Sequence, residues 1–200
     1  MTSIRHNRTA DDSVLDAARD CVLAVGVRRT TLTDIARRAG VSRMTLYRRW
    51  PDVRTIVADL MTREWTAIAA EVAPGAREGA GTVRERVTGA LAEGVRIFRE
   101  HPLLRKILDV DPELLLPYVL DRRGATQDAF LGLFEEGIRA GHEDGSIRPG
   151  DPVLQARALL LVVQSFALSA PTMTEDADPA LSSGAFDGEL RHIIERTLAP

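Results

Sequence analysis

Apolar side chains recur at helical spacing along almost the whole chain, and no stretch sustains period-two alternation, so the expected fold class is all-α. The first periodic stretch runs from Val14 to Val25, with Val14, Ala18, Cys21 and Val25 on one face, and stops at Gly26. Two shorter stretches follow. In the first, Leu32, Ile35, Ala36 and Ala39 share a face behind Thr31, whose hydroxyl suits an N-cap, and Asp34 sits three residues on to complete a capping box. Gly40 breaks that helix. In the second, Ser42 is placed to cap a helix whose inward positions are Leu46 and Trp50, which turns Arg43, Met44, Thr45, Tyr47, Arg48 and Arg49 to its other sides.

A longer stripe of Val53, Ile56, Val57, Leu60, Met61, Trp65, Ile68 and Val72 follows a capping Asp52 and is expected to end at Pro74. Residues 74–81, PGAREGAG, read as a flexible connection. Thr82 and Glu85 then form another capping box ahead of Val87, Leu91, Val95 and Phe98. Pro102, Pro112 and Pro117 divide the next stretch into short bent helices. A helix from about Thr126 carries Phe130, Leu133, Phe134 and Ile138, and Asp151-Pro152 opens an apolar helix to Ala170. Residues 171–186, acidic and rich in proline, serine and glycine, read as a mobile loop before a last helix opened by Asp187, with Leu190, Ile193, Ile194 and Leu198 on one face.

Charge is distributed unevenly. Residues 1–54 hold eleven arginines against six aspartates, while the rest holds fifteen basic against twenty-three acidic residues. A basic front and an acidic back confine any nucleic-acid partner to one end of the molecule and argue against a nonspecific DNA-compacting protein. The second short helix bears three arginines and no acid, and an α-helix fits the major groove of B-DNA, so residues 31–54 read as a DNA-reading unit. Arg43 and Arg49 are the candidates for base edges, because arginine donates two hydrogen bonds to guanine, with Met44 and Thr45 suited to a thymine methyl. Arg48 shares that cationic face. Arg5, His6 and Arg8 precede the first helix and have the composition of a minor-groove arm or of a solvated terminus.

The segment T-x-x-D-I-A-x-x-A-G-V-S-x-x-T-L-Y-x-x-W-P, with the helix before it, resembles the amino-terminal signature of the tetracycline-repressor (TetR) family of bacterial regulators. The resemblance covers about a quarter of the chain. It departs at Trp50, where phenylalanine is usual, and at Val53, where a phosphate-binding lysine is common; Arg54 is the neighbour placed to substitute. The resemblance implies that Tyr47, Thr31 and Thr33 reach phosphates. It implies a DNA-binding domain over 1–51, a connecting helix over 52–73, and a larger helical regulatory, ligand-binding and dimerisation domain over 74–200. It further implies a repressor released from a palindromic double-stranded DNA operator by a small-molecule effector, working as a homodimer that pairs through helices 152–170 and 187–198. The effector cavity would draw on Phe98, His101, Leu104, Ile107, Leu108, Tyr118, Phe130, Phe134 and Gln164, with His101 and Gln164 as polar orienters.

Asp109, Asp111, Glu113, Glu135 and Glu136 read as a solvated face, although a cationic effector would also suit them. No metal, cofactor or catalytic role is expected, since the four histidines are scattered, the single lysine lies in no phosphate-loop pattern, and G-x-S-x-G does not occur. The rival reading is a helical enzyme or small-molecule carrier on the same scaffold. One cysteine, Cys21, on an apolar helix face excludes a disulfide framework. The polar start and the polar residues Gln155, Arg157 and Gln164 in the most apolar helix point to a cytoplasmic protein that does not span a membrane.

Overall fold

A computed structural model describes residues 2–175 and 177–200, with side chains from residue 11 onward. Among the described residues there are helices and no strands: α1 (Thr2–Val25), α2 (Leu32–Ala39), α3 (Arg43–Arg49), α4 (Val53–Arg77), α5 (Val83–Glu100), α6 (Pro102–Val110), α7 (Leu116–Leu120), α8 (Ala125–Glu143), α9 (Pro152–Ser169) and α10 (Ser183–Leu198). The backbone of α1 begins well before Val14, and no glycine or proline among residues 2–13 would stop it. The side chains of Arg5, His6 and Arg8, proposed as an arm, lie outside the described residues.

Two compact units form, and their division differs from the boundaries read off the sequence. The first comprises residues 1–64 and 101–123, the second 65–100 and 124–200. Residues 101–123, expected with the regulatory domain, pack with the amino-terminal helices, because α6 buries Leu103, Leu104 and Ile107 completely and lies against α1.

The core of the first unit is built from Val14, Ala18 and Val22 of α1, Leu32 and Ile35 of α2, Leu46 of α3, Trp50, and Ile56, Val57 and Leu60 of α4. Burying a large aliphatic side chain of this kind is worth about 1.5–3 kcal/mol. Cys21 lies in this interior, where burial pushes its thiol pKa up and leaves it a packing residue rather than a reactive thiolate.

The second unit packs α5, α8, α9 and α10 around Val87, Val95, Leu131, Ile138, Leu159, Val163, Leu190, Ile194 and Leu198. Arg99 of α5 grips both carboxylate oxygens of Asp187 on α10 at 2.8 and 2.9 Å, and Arg84 meets Glu195 at 2.8 Å. By length and composition α9 is apolar enough to cross a membrane, yet its Gln155 is buried and bonded to His142 at 2.9 Å and to the Arg148 carbonyl at 3.1 Å. Those partners and the core residues on its other turns make α9 the central helix of this unit.

Three boundaries depart from the sequence reading. Helix α4 continues through Pro74 to Arg77; Pro74 is exposed, so the helical carbonyl that lost its donor is left on a wet surface, and the Pro74 carbonyl accepts the Glu78 N–H at 2.8 Å. Helix α10 starts at Ser183 rather than 187, because the Ser182 hydroxyl accepts the Ala185 N–H at 3.3 Å; Gly184 and Gly188 had disguised that first turn as loop. The expected loop before it contains two single-turn 3₁₀ helices, Ala170–Thr172 and Pro179–Leu181.

The apolar stripe of α10 also faces elsewhere than expected. Leu190, Ile194 and Leu198 are each 0% exposed in the core of their own unit, so these three are not free to pair with a second copy, while Ile193 of the same stripe is half-buried. The large apolar side chains that α9 exposes are Leu154 and Leu161, by 68% and 72%.

Candidate DNA-binding interface

Local hydrogen bonds fix α2 at both ends and the reading helix α3 at its start. The Thr31 hydroxyl accepts the Asp34 N–H at 3.1 Å, and donates to the Asp34 carboxylate at 2.6 Å, so the cap of α2 is tight. Helix α2 ends in a Schellman arrangement: Gly40 sits at φ 68°, its N–H meeting the Arg37 carbonyl at 3.4 Å while the Val41 N–H reaches the Ala36 carbonyl at 3.1 Å. Left-handed backbone at that point demands glycine and turns the chain sharply into α3. There the Ser42 hydroxyl accepts the Thr45 N–H at 3.1 Å.

Leu46 and Trp50 anchor α3 inward. Trp50 is buried and its indole N–H donates to Asp59 at 2.8 Å, a bond that phenylalanine at this position could not make. With the inner face committed, Arg43, Met44, Thr45, Tyr47, Arg48 and Arg49 are all exposed, Met44 by 80%. Met44, Thr45, Tyr47 and Arg48 line an open depression on this face. The Thr45 hydroxyl is engaged with Ser42 at 2.8 Å, which leaves its methyl as the free surface.

The arginines are not equivalent. Arg49 stands 3.4 Å from Asp11 and its guanidinium is 5.6 Å from the centre of the Trp50 ring, whereas Arg43 has no ion pair among the described residues. An exposed pair such as Arg49–Asp11 is worth about 0–1 kcal/mol, so phosphate or base can displace it. Arg54 is exposed on the first turn of α4, beside Asp52, whose carboxyl is held below its ordinary range by the Thr55 N–H and hydroxyl. The Thr31 hydroxyl is already spent on Asp34, and Thr33 is half-buried.

The residues expected to line an effector cavity divide between the two units. Leu104 and Ile107 are fully buried in the first unit, where Leu108 and Tyr118 are half-buried. His101 caps α6 there, its Nδ1 accepting the Leu103 N–H at 3.3 Å and its Nε2 standing 3.4 Å from Glu64. Phe98, Phe130, Phe134 and Gln164 belong to the second unit. Phe98 meets Trp65 edge-on at 4.6 Å, and the Phe130 and Phe134 rings lie parallel with centres 6.4 Å apart. Gln164 accepts from the side-chain amide of Gln127 at 2.7 Å, a partner that sequence reading passed over although it stands one helical turn before Phe130. Among the acids read as a solvated face, Asp111 is 0% exposed, which overturns that reading for this residue.

Residues 14–60 match the family described as bacterial regulatory proteins, tetR family. The chain is also 35% identical, over 97% of its length and 97% of the relative's, to an uncharacterized HTH-type transcriptional regulator of Mycobacterium bovis. The chain belongs to the TetR family. It is a helix-turn-helix transcriptional regulator, and α2 and α3 are its helix-turn-helix. The fold extends over the whole molecule. The TetR-family transcriptional repressor QsdR of Rhodococcus erythropolis superposes with a TM-score of 0.68 at 16% identity, covering 96% of this chain and 95% of that one. FadR of Bacillus subtilis, solved in complex with stearoyl-CoA, superposes with a TM-score of 0.66 at 14% identity, covering 93% and 98%.

Proposed function

We propose that this TetR-family regulator is a cytoplasmic repressor that binds a two-fold-symmetric operator as a homodimer and leaves it when a small molecule occupies its second unit. The observation that carries the DNA reading is the outer face of α3: six exposed side chains, three of them arginines and none acidic, on a helix pinned by Leu46 and Trp50. Arg43 is the principal base reader and Arg49 the second, Met44 and Thr45 contact a thymine methyl, and Tyr47, Arg48, Arg54, Thr31 and Thr33 hold phosphates. Because its hydroxyl is occupied, Thr31 offers its backbone N–H or exchanges Asp34 for phosphate.

One seven-residue helix reads only a few base pairs, so useful specificity requires two copies. The exposed stripe Leu154, Ala158 and Leu161 on α9 is the surface for that pairing, a spacing that repeats on one helical face. For the effector, Phe98, Phe130, Phe134 and the Gln127–Gln164 amide pair supply an apolar lining with a polar orienter. The stearoyl-CoA bound by FadR of Bacillus subtilis is in keeping with an apolar ligand in this fold. Coupling runs through α4, whose residues up to Glu64 belong to the first unit and whose later turns belong to the second.

Selection from a random duplex pool tests the reading. The parent protein is expected to enrich a palindrome with one half-site per protomer; a pool without enrichment, or enriched for an unsymmetrical single site, would contradict it.

A further inference from the structure

Asp111 is a carboxylate with no exposed surface, at the carboxy-terminal end of α6. It sits immediately before Pro112, a position from which aspartate ordinarily caps the following turn, yet its side chain makes no such cap. Its oxygens are used on the turn between α1 and α2. Oδ2 accepts the Val27 N–H at 2.6 Å, and Oδ1 accepts the Arg28 N–H at 3.3 Å and stands 3.4 Å from the Arg28 Nε. A buried carboxylate is costly unless its lone pairs are filled, and here two backbone donors and a guanidinium fill them.

The turn is shaped to receive it. Gly26 adopts φ 82°, and a methyl group there would come within 2.9 Å of both Asp111 Oδ2 and Val110 Cγ1. The Thr30 hydroxyl closes the turn by donating to the Gly26 carbonyl at 2.7 Å. On the other side Asp111 is fixed by α6, its own N–H bonded to the Ile107 carbonyl at 2.9 Å, and α6 is held by the completely buried Leu103, Leu104 and Ile107. Arg28 adds an outer strap, its guanidinium 2.7 Å from Glu113.

We infer that Asp111 is a positioning residue for DNA binding: through the Val27 and Arg28 amides it sets the turn from which α2, with Thr31 and Thr33 at its start, and then α3 depart. Only Arg29, Thr30 and Thr31 lie between Arg28 and the start of α2 at Leu32, so a shift of the turn moves the phosphate-facing threonines and the reading helix together. The inference rests on the DNA-binding reading above.

Operator affinity of Asp111→Asn, Gly26→Ala and the double variant tests it, on the duplex selected by the parent and at a temperature where circular dichroism shows each protein folded. Asparagine keeps the shape but turns an N–H toward a backbone N–H, and alanine pushes the turn away from the other side. Each single variant is expected to weaken operator binding about tenfold or more, and the double variant no further than the worse single, because both break one interaction. Amide exchange at Val27 and Arg28 should quicken in both. Parent affinity in folded variants, strictly additive losses, or an Asp111→Asn protein that does not fold at all would overturn the assignment. A parent that selects no sequence would instead fail the DNA-binding reading itself.

Discussion

Glu64 provides a test of how the first unit is held together. Its side chain is only 12% exposed, its Oε1 receives Arg63 at 2.7 Å with Arg19 at 3.8 Å, and its Oε2 faces His101 Nε2 at 3.4 Å. The hydrogen bond from His101, reinforced by Arg63 and Arg19, outweighs desolvation and lowers the carboxyl pKa from 4.5 to about 2. Since His101 Nδ1 accepts the Leu103 N–H, the neutral ring carries its proton on Nε2 and already donates to Glu64. A carboxylate depressed in the folded state contributes stability that is complete above the unfolded value of 4.5 and disappears as pH falls toward 2. At about 1.4 kcal/mol per unit the ceiling is about 3 kcal/mol, and partial exposure brings the expected contribution to about 1–3 kcal/mol. Glu64→Gln should therefore unfold at lower urea than the parent at pH 7, and the gap should narrow at pH 4 and further at pH 3. A gap that stays constant with pH would assign the loss to packing, and the absence of a gap at pH 7 would refute the network as a source of stability.

Trp50→Phe should cost about 1–3 kcal/mol by removing the indole bond to Asp59 and part of a buried ring; Asp59→Ala should cost only the hydrogen-bond share, about 0.5–1.5 kcal/mol, both read from urea midpoints. Equal losses in the two variants would mean that the larger ring adds nothing to packing. Leu154→Asp with Leu161→Asp should give a folded monomer by light scattering, because two charges would be trapped without partners in a dimer interface. An intact dimer would move the pairing surface away from this face of α9.

The helix-turn-helix was legible because several local rules coincide there: Thr31 and Ser42 cap, Gly40 supplies the left-handed turn, and Leu46 and Trp50 recur on one face. Each acts within a few residues, so sequence order carries it. Direction of burial was harder to read. An apolar stripe states that a face is covered but not by what, and Leu190, Ile194 and Leu198 met their own unit instead of a second copy. Likewise Leu104 and Ile107 did not say against what α6 would pack, because long-range contact with α1 decides its place. Asp111 was hidden for the same reason, its partners lying 83 and 84 residues away. The Ser183 start of α10 was missed because Gly184 and Gly188 lower helix propensity, while the Ser182 cap and tertiary packing restore it.

The central claim, that the outer face of α3 reads DNA sequence, is tested most directly by comparing Arg43→Ala and Tyr47→Phe on the selected operator and on scrambled duplex of equal length at one salt concentration. Arg43→Ala is expected to reduce discrimination between the two by about 1–3 kcal/mol, and Tyr47→Phe to weaken both equally, since a phosphate contact carries no base information. An unchanged operator-to-scrambled ratio in Arg43→Ala would contradict the account.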